Sequence, residues 1–287
     1  MKKIALVNLK GGFGNQLFQI IFAEYLKNFG FSVFIDTSFY SLNDDYLTKN
    51  GITKRSLTLP LSIFNLKKTN RFYLVIFKSL FHLLKKFNKK FNKKIYANKF
   101  TGHEFDIKEV GYINIFDGYW KNLKFLEYNS KFLIDCLSKN KKFKLEFKKN
   151  VNKNTLLVHV RRTDFIKNGW ELSEDFYLES IDFVIKKKGK QKIDIFTDDE
   201  NWVKNTNFYK KFNVNSIFAV QQNESPFNDF IKMLNYENFI IGNSTFAFFP
   251  PYMKAKDENI VIVPDPWFKY ADHPDISKEN WIKIKNN

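Results

Sequence analysis

The segment Leu156 to Asp164, with the sequence LLVHVRRTD, constrains the fold of this 287-residue chain more than any other. Its first three residues form a short apolar run that is typical of a buried strand. The run leads directly into a histidine, two arginines and an aspartate. In open α/β sheets, ligands bind beyond the carboxyl ends of the strands. The segment therefore predicts an α/β fold whose sheet carries charge to a binding edge.

Arg161 and Arg162 are the side chains of this segment that suit an anion best. A guanidinium group stays charged at any working pH, and its planar fork of donors matches phosphate. We hypothesise that the two arginines hold a diphosphate. The alternative is a purely structural role, in which both arginines form salt bridges to Asp164.

Two further strand ends in the second half of the chain carry polar groups. Asp198 and Asp199 follow a predicted strand, and they suit ribose hydroxyls or base N–H groups, or the cap of the next helix. Ser244 and Thr245 follow another strand, and they offer hydroxyls and backbone N–H groups to an anion, or an ordinary helix cap. Basic, acidic and hydroxyl strand ends together are what a nucleoside diphosphate needs.

The first half opens with a predicted βαβ unit over residues 3–36 that contains a glycine-rich turn. Leu17 stands where the dinucleotide fingerprint has its third glycine, so a nicotinamide or flavin site is not predicted. Gly12 and Gly14 would let a ligand approach the backbone, and Asn15 and Gln16 are candidate contacts. The alternative is a tight turn that packs the helix on the strand.

Asp117 and Trp120 end a later predicted strand, where an aromatic platform could stack on a sugar; the alternative for the tryptophan is a core or rim position. Residues 148–154 are polar and lack apolar periodicity, so they form the predicted linker. The expected domains are therefore 1–150 and 151–287, each of the α/β type.

The positive charge lies wholly in the first half: residues 1–150 hold 28 Lys and Arg against 11 Asp and Glu, and residues 151–287 hold 19 of each. A lysine-rich insertion is predicted at about residues 67–99, and its segment Lys85–Lys94 is a candidate contact with an anionic membrane, with Phe87, Phe91 and Ile95 on one side of a helix. The alternative is a solvated insertion. No nucleic-acid module is recognisable, so nucleic acid is not an expected partner.

The remaining composition restricts the class of protein. The single Cys136 excludes an internal disulfide and a multi-cysteine metal site. No apolar run approaches the ~18 residues of a membrane span, and the apolar start is too short for a signal peptide. We expect a cytoplasmic protein, peripheral on the inner face of the cell membrane if the lysine-rich segment binds lipid.

Five segments resemble, in order, the motifs of the α-1,2-fucosyltransferases, glycosyltransferase family 11. They are Gly11–Gln19, which resembles the opening loop, His159–Asp164 (His-x-Arg-Arg-x-Asp), Phe196–Asp199 (Phe-Ser-Asp-Asp), Asn243–Phe246 (Asn-Ser-Thr-Phe), and Val263-Pro264 with Trp267-Phe268. Two departures concern the sugars: Ala247, Phe248 and Phe249 replace a common Ser-Trp-Trp, and Lys121 follows Trp120 where the family often has glutamine.

The resemblance implies a GT-B-like fold of two Rossmann-like α/β domains that face a central cleft. It also implies a hexosyltransferase of the galactoside α-1,2-fucosyltransferase type that uses GDP-β-L-fucose with inversion and needs no metal or other cofactor. The acceptor would be a glycan or lipid-linked oligosaccharide in surface-polysaccharide or O-antigen synthesis. The alternatives are another GDP-sugar on the same scaffold, or a non-catalytic basic protein that binds membrane or nucleic acid.

The resemblance, with the reasoning above, assigns roles to individual residues. The catalytic candidates are Arg161, Asp164 (a general base, or an orienting partner of Arg162) and Asn15. The donor-binding candidates are His159, Arg161, Arg162, Asp198, Asp199, Asn243, Ser244, Thr245 and Phe246, with Arg161 at the β-phosphate and Asp198 at the guanosine. The acceptor-side candidates are Gly12, Gly14, Asn15, Gln16, Asp117 and Trp120.

Overall fold

The structure, a computed structural model, divides the chain into two compact units, Met1–Lys139 (unit 1) and Asn140–Asn287 (unit 2). The residues that it describes are 2–91, 96–220, 224–269 and 274–286. Each unit holds one sheet in which every strand pairing is parallel, as the α/β prediction requires.

Unit 1 contains five strands and five α-helices in its described part. The strands are β1 (Ile4–Asn8), β2 (Ser32–Asp36), β3 (Lys67–Lys68), β4 (Ala97–Gly102) and β5 (Ile113–Gly118). The helices are α1 (Phe13–Asn28), α2 (Asp44–Lys49), α3 (Arg71–Phe91), α4 (Leu123–Tyr128) and α5 (Ser130–Leu137), with 3₁₀ turns at Ser38–Ser41, Leu61–Phe64 and Ile107–Glu109.

The sheet of unit 1 has the strand order β3-β2-β1-β5-β4. β1 is central, and its residues Ala5, Leu6 and Val7 are fully buried, because a parallel sheet is covered on both faces. The predicted βαβ unit is confirmed as β1, α1 and β2, with Ile4 opposite Ser32 and Asn8 opposite Asp36. The loops after β1 and β5 lie at neighbouring strand ends.

The predicted lysine-rich insertion is an integral part of unit 1. α3 connects β3 to β4, and β4 pairs along its whole length with β5, so residues 67–99 supply both edge strands of the sheet. Residues 92–95, which include Lys93, Lys94 and Ile95 of the predicted membrane contact, lie outside the described residues. None of the described helices is long and apolar enough to cross a bilayer.

Unit 2 contains six strands and seven α-helices in its described part. The strands are β6 (Thr155–Val160), β7 (Lys192–Thr197), β8 (Val214–Ala219), β9 (Asn238–Ile241), β10 (Val261–Asp265) and β11 (Ile282–Lys285). The helices are α6 (Lys141–Lys148), α7 (Thr163–Ile166), α8 (Glu174–Lys188), α9 (Glu200–Asn205), α10 (Asn207–Lys211), α11 (Pro226–Met233) and α12 (Thr245–Lys254).

The sheet of unit 2 has the strand order β11-β10-β9-β6-β7-β8. All six residues of β6 are buried, as its apolar sequence predicts. From β6 the chain adds β7 and β8 on one side, and it then crosses to add β9, β10 and β11 on the other. The strand order therefore reverses between β6 and β9, and such a reversal opens a crevice at the carboxyl ends of the two strands.

The division between the units falls at Lys139, before the predicted boundary at residue 150. Helix α6 causes the difference, because its apolar face packs on α11 of unit 2. The ring of Phe143 stacks with that of Phe230 at 6.4 Å between centroids, and Asn235 donates a hydrogen bond of 2.9 Å to Glu146. A polar segment is therefore a reliable sign of a linker only if none of its residues packs against a neighbouring element.

Candidate functional site

The strand-order reversal of unit 2 brings together most of the residues predicted to bind the donor. β6 ends at Val160, its neighbour β7 at Thr197, and its other neighbour β9 at Ile241. The three polar segments that follow these strands, 161–164, 198–199 and 243–246, therefore lie side by side at one edge of the sheet.

Arg161 forms two short salt bridges within this cluster. Its Nη2 atom lies 2.6 Å from Oδ1 of Asp164, and its Nη1 atom lies 2.7 Å from Oδ2 of Asp198. The side chain is 20% exposed. The predicted alternative of a salt bridge to Asp164 is thus present, and it fixes the plane of the guanidinium while leaving other N–H groups of Arg161 for a ligand. Asp164 orients Arg161, not Arg162 as the sequence suggested.

Asp198 is the residue that holds the arginine loop in place. Its Oδ1 atom accepts a hydrogen bond of 2.8 Å from the backbone N–H of Arg162, and Oδ2 accepts one of 2.6 Å from the Thr163 hydroxyl. The side chain is only 6% exposed. Both oxygens are engaged with the loop and with Arg161, so Asp198 positions the arginine loop; its contact with guanosine stays a prediction.

Arg162 lies over an aromatic ring that the sequence reasoning missed. Its guanidinium carbon is 4.0 Å from the centroid of Trp202, and its Nε atom is 3.4 Å from Oδ2 of Asp199. Asp199 also caps α9, because its Oδ1 atom accepts a hydrogen bond of 3.0 Å from the backbone N–H of Trp202. The predicted alternative of a helix cap therefore holds for this carboxylate. The sequence signal that could have predicted this contact is a tryptophan three residues after an aspartate at a helix N-cap.

His159 lies at the carboxyl end of β6 and is buried. Burial and the neighbouring charge of Arg161 lower its pKa to about 4, so the imidazole is neutral at neutral pH. Its Nδ1 atom is buried and has no hydrogen-bond partner among the described residues. A buried polar atom of this kind is costly unless a ligand or water satisfies it.

The segment after β9 forms the other wall of the crevice. Asn243 is 2% exposed, and its side-chain amide donates a hydrogen bond of 2.6 Å to the backbone carbonyl of Trp170. Its Oδ1 atom has no hydrogen-bond partner in the described part of the chain. The Ser244 hydroxyl caps α12 by accepting from Phe246 N–H at 3.3 Å, so its predicted alternative as a cap holds, and Thr245 is the first residue of that helix. The Phe246 ring lies 6.1 Å from that of His159.

In unit 1, the glycine-rich loop between β1 and α1 brings Asn15 to the end of β1. Gly11 has a φ of +78°, and a Cβ atom there would lie 2.6 Å from Nδ2 of Asn15, so the loop requires glycine at this position. Gly12 is the N-cap residue of α1 and lies beside the side chain of Arg55. Gly14 is buried in the first turn of α1, so it offers no surface to a ligand.

Gln16 is structural, which corrects its prediction as a ligand contact. The side chain is fully buried, and its amide donates to the carbonyls of Gly11 at 3.2 Å and Ser56 at 2.8 Å. Its Oε1 atom accepts from the Thr58 N–H at 3.1 Å. Gln16 therefore ties the glycine loop to residues 56–58.

Trp120 is also a correction, because it is fully buried and offers no platform to a sugar. Its backbone adopts a left-handed φ of +53°, and its ring stacks on Phe22 with 4.2 Å between centroids. Asp117 is held by Lys10 at 3.0 Å and Lys99 at 2.9 Å. Burial alone would raise the pKa of Asp117, but the hydrogen bonds and charges of the two lysines lower it to about 2.

Two further residues lie at this strand end: Tyr119, which the sequence places beside Asp117 and Trp120, and Lys121, to which the sequence reasoning gave no role. The Nζ atoms of Lys10 and Lys121 lie 5.2 Å and 5.0 Å from the Tyr119 ring centroid. Burial lowers the pKa of Lys121 to about 7. The signal was the departure at this position, where lysine stands in place of the glutamine that the family often has.

Among the described residues, no group of three or more His, Cys, Asp or Glu side chains is arranged to hold a metal ion. The positive groups paired with Asp164, Asp198 and Asp199 are the guanidinium groups of Arg161 and Arg162.

Each unit is an α/β unit with a parallel sheet, and arginines paired with carboxylates lie at the strand-order reversal of unit 2, where open α/β sheets bind ligands. The model of glycosyl transferase family 11 matches residues 4–285, so the chain belongs to this family and is a glycosyltransferase. Membership removes the predicted alternative of a non-catalytic basic protein. A sugar donor and a glycan acceptor are the substrates that the family implies.

Two curated relatives match nearly the whole chain. The O-antigen biosynthesis glycosyltransferase WbnK of Escherichia coli is 26% identical, over 96% of this chain and 99% of its own length. An alpha-1,2-colitosyltransferase of Escherichia coli is 27% identical, over 98% and 99%. Among solved structures, a mutant of Arabidopsis thaliana FUT1 in complex with GDP matches 93% of this chain and 72% of its own, with 10% identity and a TM-score of 0.45.

Proposed function

We propose that the protein is an inverting transferase that moves fucose from GDP-β-L-fucose to O2 of a galactose and forms an α-1,2 linkage in a surface polysaccharide. The observation that carries this proposal is the Arg161–Arg162 pair, fixed by carboxylates at the strand-order reversal of unit 2. The names of the two curated relatives support an O-antigen acceptor and the α-1,2 linkage.

The diphosphate of the donor lies against Arg161 in this proposal. The two arginines and the three aspartates Asp164, Asp198 and Asp199 leave the cluster without a net positive charge. Recognition therefore depends on directed N–H groups, because long-range attraction to the cluster is weak. A guanidinium carries five N–H groups, and its two carboxylate partners leave some of them for phosphate oxygens.

The segment after β9 contributes further phosphate contacts. α12 is a ten-residue helix that begins at Thr245, directly after this segment, and a helix N-terminus favours anions. His159 Nδ1 and Asn243 Oδ1 are buried and lack partners among the described residues, so a bound nucleotide or an ordered water supplies their hydrogen bonds. Asp199 and the Arg162–Trp202 pair bind the guanosine.

In the transfer step, negative charge develops on the departing diphosphate, and fixed guanidinium groups can stabilise this charge in place of a metal ion. The acceptor hydroxyl attacks the anomeric carbon from the face opposite the diphosphate and gives up its proton to water, the bond to the β-phosphate oxygen breaks, and GDP leaves with the negative charge. Arg161, placed at the β-phosphate, stabilises that charge in the transition state. In this proposal Asp164 orients Arg161, through the salt bridge of 2.6 Å between its Oδ1 atom and Nη2 of the arginine. We propose that the reaction proceeds without a metal ion for this reason.

The acceptor side of the proposal rests on unit 1. The Asn15 side chain lies beside Gly11 in the loop after β1, and Gly12 of the same loop is partly exposed. Tyr119 replaces Trp120 as the aromatic candidate, because Tyr119 is partly exposed whereas Trp120 is fully buried. The acceptor is a glycan or a lipid-linked oligosaccharide.

Colitose is the second candidate donor sugar, since one relative is named as an alpha-1,2-colitosyltransferase. Colitose is fucose without its 3-hydroxyl group. An enzyme that hydrogen-bonds this hydroxyl discriminates strongly against colitose, whereas one that does not accepts both sugars.

We also propose that the protein meets the membrane peripherally through Lys85–Lys94. Lys85, Lys86, Lys89 and Lys90 are exposed on α3, and lysines near an anionic leaflet favour binding. A lipid-linked acceptor is presented at that surface.

A donor and acceptor screen tests the proposed function. The purified protein is incubated, in the presence of EDTA, with GDP-fucose, GDP-colitose or GDP-mannose and a panel of galactose-ended oligosaccharides. We expect GDP release from GDP-fucose, and NMR should show an α-1,2 linkage to galactose. Transfer only from another GDP-sugar contradicts the donor, and activity that EDTA abolishes and Mg²⁺ restores contradicts the metal independence.

A further inference from the structure

Helix α3 is firmly attached to unit 1 along one side. Leu74 and Phe81 are buried in the core of the unit. Asn88 donates a hydrogen bond of 2.5 Å to the Ala97 carbonyl and accepts one of 2.9 Å from the Tyr96 N–H. Lys78 forms a salt bridge of 3.0 Å to the buried Asp36. The helix is therefore a fixed surface of the unit.

A second apolar face of α3 lies outside these contacts. It consists of Phe72, Tyr73, Ile76, Leu80, Leu83, Phe87 and Phe91, which are each between 39% and 69% exposed. At 3.6 residues per turn, these seven side chains fall within a sector of about 100° that adjoins the core-facing side. Exposed apolar residues that occur singly are ordinary, but a continuous stripe along 21 residues marks an interaction surface.

The charged residues of α3 itself are all positive. Lys86 and Lys90 lie along the border of the stripe that is away from the core, and Lys85 and Lys89 lie beyond them on the polar side. The sequence contains no Asp or Glu from Tyr46 to His103. An apolar stripe bordered by lysines is the composition of a helix that lies in the interface of an anionic membrane.

We infer that the outer face of α3 inserts into the head-group layer of an anionic bilayer, with the helix axis parallel to the membrane surface. This inference deepens the proposed lysine contact, on which it rests, and it names the inserting residues. The lysines alone would give a contact governed by salt, whereas the stripe adds burial of aromatic and aliphatic side chains. A second copy of the chain fits less well, because pairing two such faces would bring like charges together.

Sedimentation with lipid vesicles tests the inference without any nucleotide sugar. The full chain is mixed with vesicles of phosphatidylcholine alone or with 30% phosphatidylglycerol. We expect at least tenfold stronger binding to the anionic vesicles. The triple substitution Ile76→Ser, Leu80→Ser and Leu83→Ser should lower that binding at least tenfold. The matched control is Ile107→Ser, Leu145→Ser and Val220→Ser, which changes three exposed apolar residues elsewhere and should leave binding within twofold.

The lysine variant Lys86→Gln with Lys90→Gln separates charge from insertion. Each lysine near an anionic surface strengthens binding about fivefold, so this variant should bind anionic vesicles tenfold or more weakly. Circular dichroism checks the fold of every variant, and transfer to a soluble acceptor should stay at the wild-type rate in the stripe variant. That activity assay reports on the proposed function independently of vesicle binding.

Three results overturn the inference. The first is no binding of the wild-type chain to anionic vesicles. The second is wild-type binding by the stripe variant, which would make the contact purely electrostatic. The third is a dimer in sedimentation velocity that the stripe variant dissociates, together with unchanged vesicle binding, which would assign the face to a second copy of the chain.

Discussion

Replacing Arg161 by alanine should lower kcat for sugar transfer by about 10²–10³-fold, because one preorganised donor to developing charge has an effect of this size. Arg161 is held by Asp164 at 2.6 Å and by Asp198 at 2.7 Å, so its guanidinium is in place before the donor binds. Steady-state kinetics with GDP-fucose measure the effect. Arg71→Ala, an exposed arginine on α3, is the matched control and should keep wild-type kcat.

Arg161→Lys distinguishes the shape of the guanidinium from its charge. Lysine keeps the positive charge but lacks the planar fork that contacts phosphate and carboxylates at once. We expect kcat between those of the wild type and the alanine variant. Near wild-type kcat in Arg161→Ala would remove this residue from the transfer step. Thermal unfolding of each variant identifies any loss that comes from misfolding.

The second large effect is expected at Asp198, whose substitution by alanine should lower the free energy of unfolding by about 3 kcal/mol. Removing one partner of a buried ion pair leaves the other charge uncompensated, and costs of this order are usual. The side chain is 6% exposed and accepts from Arg161, the Arg162 N–H and Thr163. Urea denaturation measures the change. Transfer should be lost as well, because the arginine loop is no longer held.

Two comparisons make the Asp198 prediction specific. Asp182 also forms an ion pair, with Lys211 at 2.6 Å, but it is 36% exposed, so Asp182→Ala should cost less than about 1 kcal/mol. Asp198→Asn keeps one acceptor oxygen at the same place but replaces the other with an N–H donor, so its free energy of unfolding should fall between those of the alanine variant and the wild type. Equal stability of Asp198→Ala and the wild type would contradict the positioning role.

The strands that the sequence predicted correctly are those with a short run of apolar residues, which indicates a buried strand. The segment Leu156–Val160 is apolar at most positions, and it forms the central strand of its sheet. The edge strands β4 and β11 were missed, because Ala97–Gly102 and Ile282–Lys285 contain polar or alternating residues and are extended only through pairing with a neighbour. Long-range pairing is not visible in a short window of sequence.

The candidate site shows the same limit at the level of single side chains. The order of residues predicted that arginines and carboxylates would meet at one sheet edge, and they do meet. The partners within that cluster depend on three-dimensional approach, so the pairing of Asp198 with the arginine loop was not predictable. The exposure of Trp120 was also misjudged, since a left-handed φ of +53° turns its ring into the core.

The central claim is that fixed guanidinium groups of unit 2 bind a sugar-bearing diphosphate without a metal ion. Isothermal titration of GDP into the purified chain in the presence of EDTA tests this claim most directly. We predict saturable binding with one site per chain, and at least tenfold weaker binding to Arg161→Ala. The claim is contradicted if GDP shows no affinity, or if binding appears only after Mg²⁺ is added.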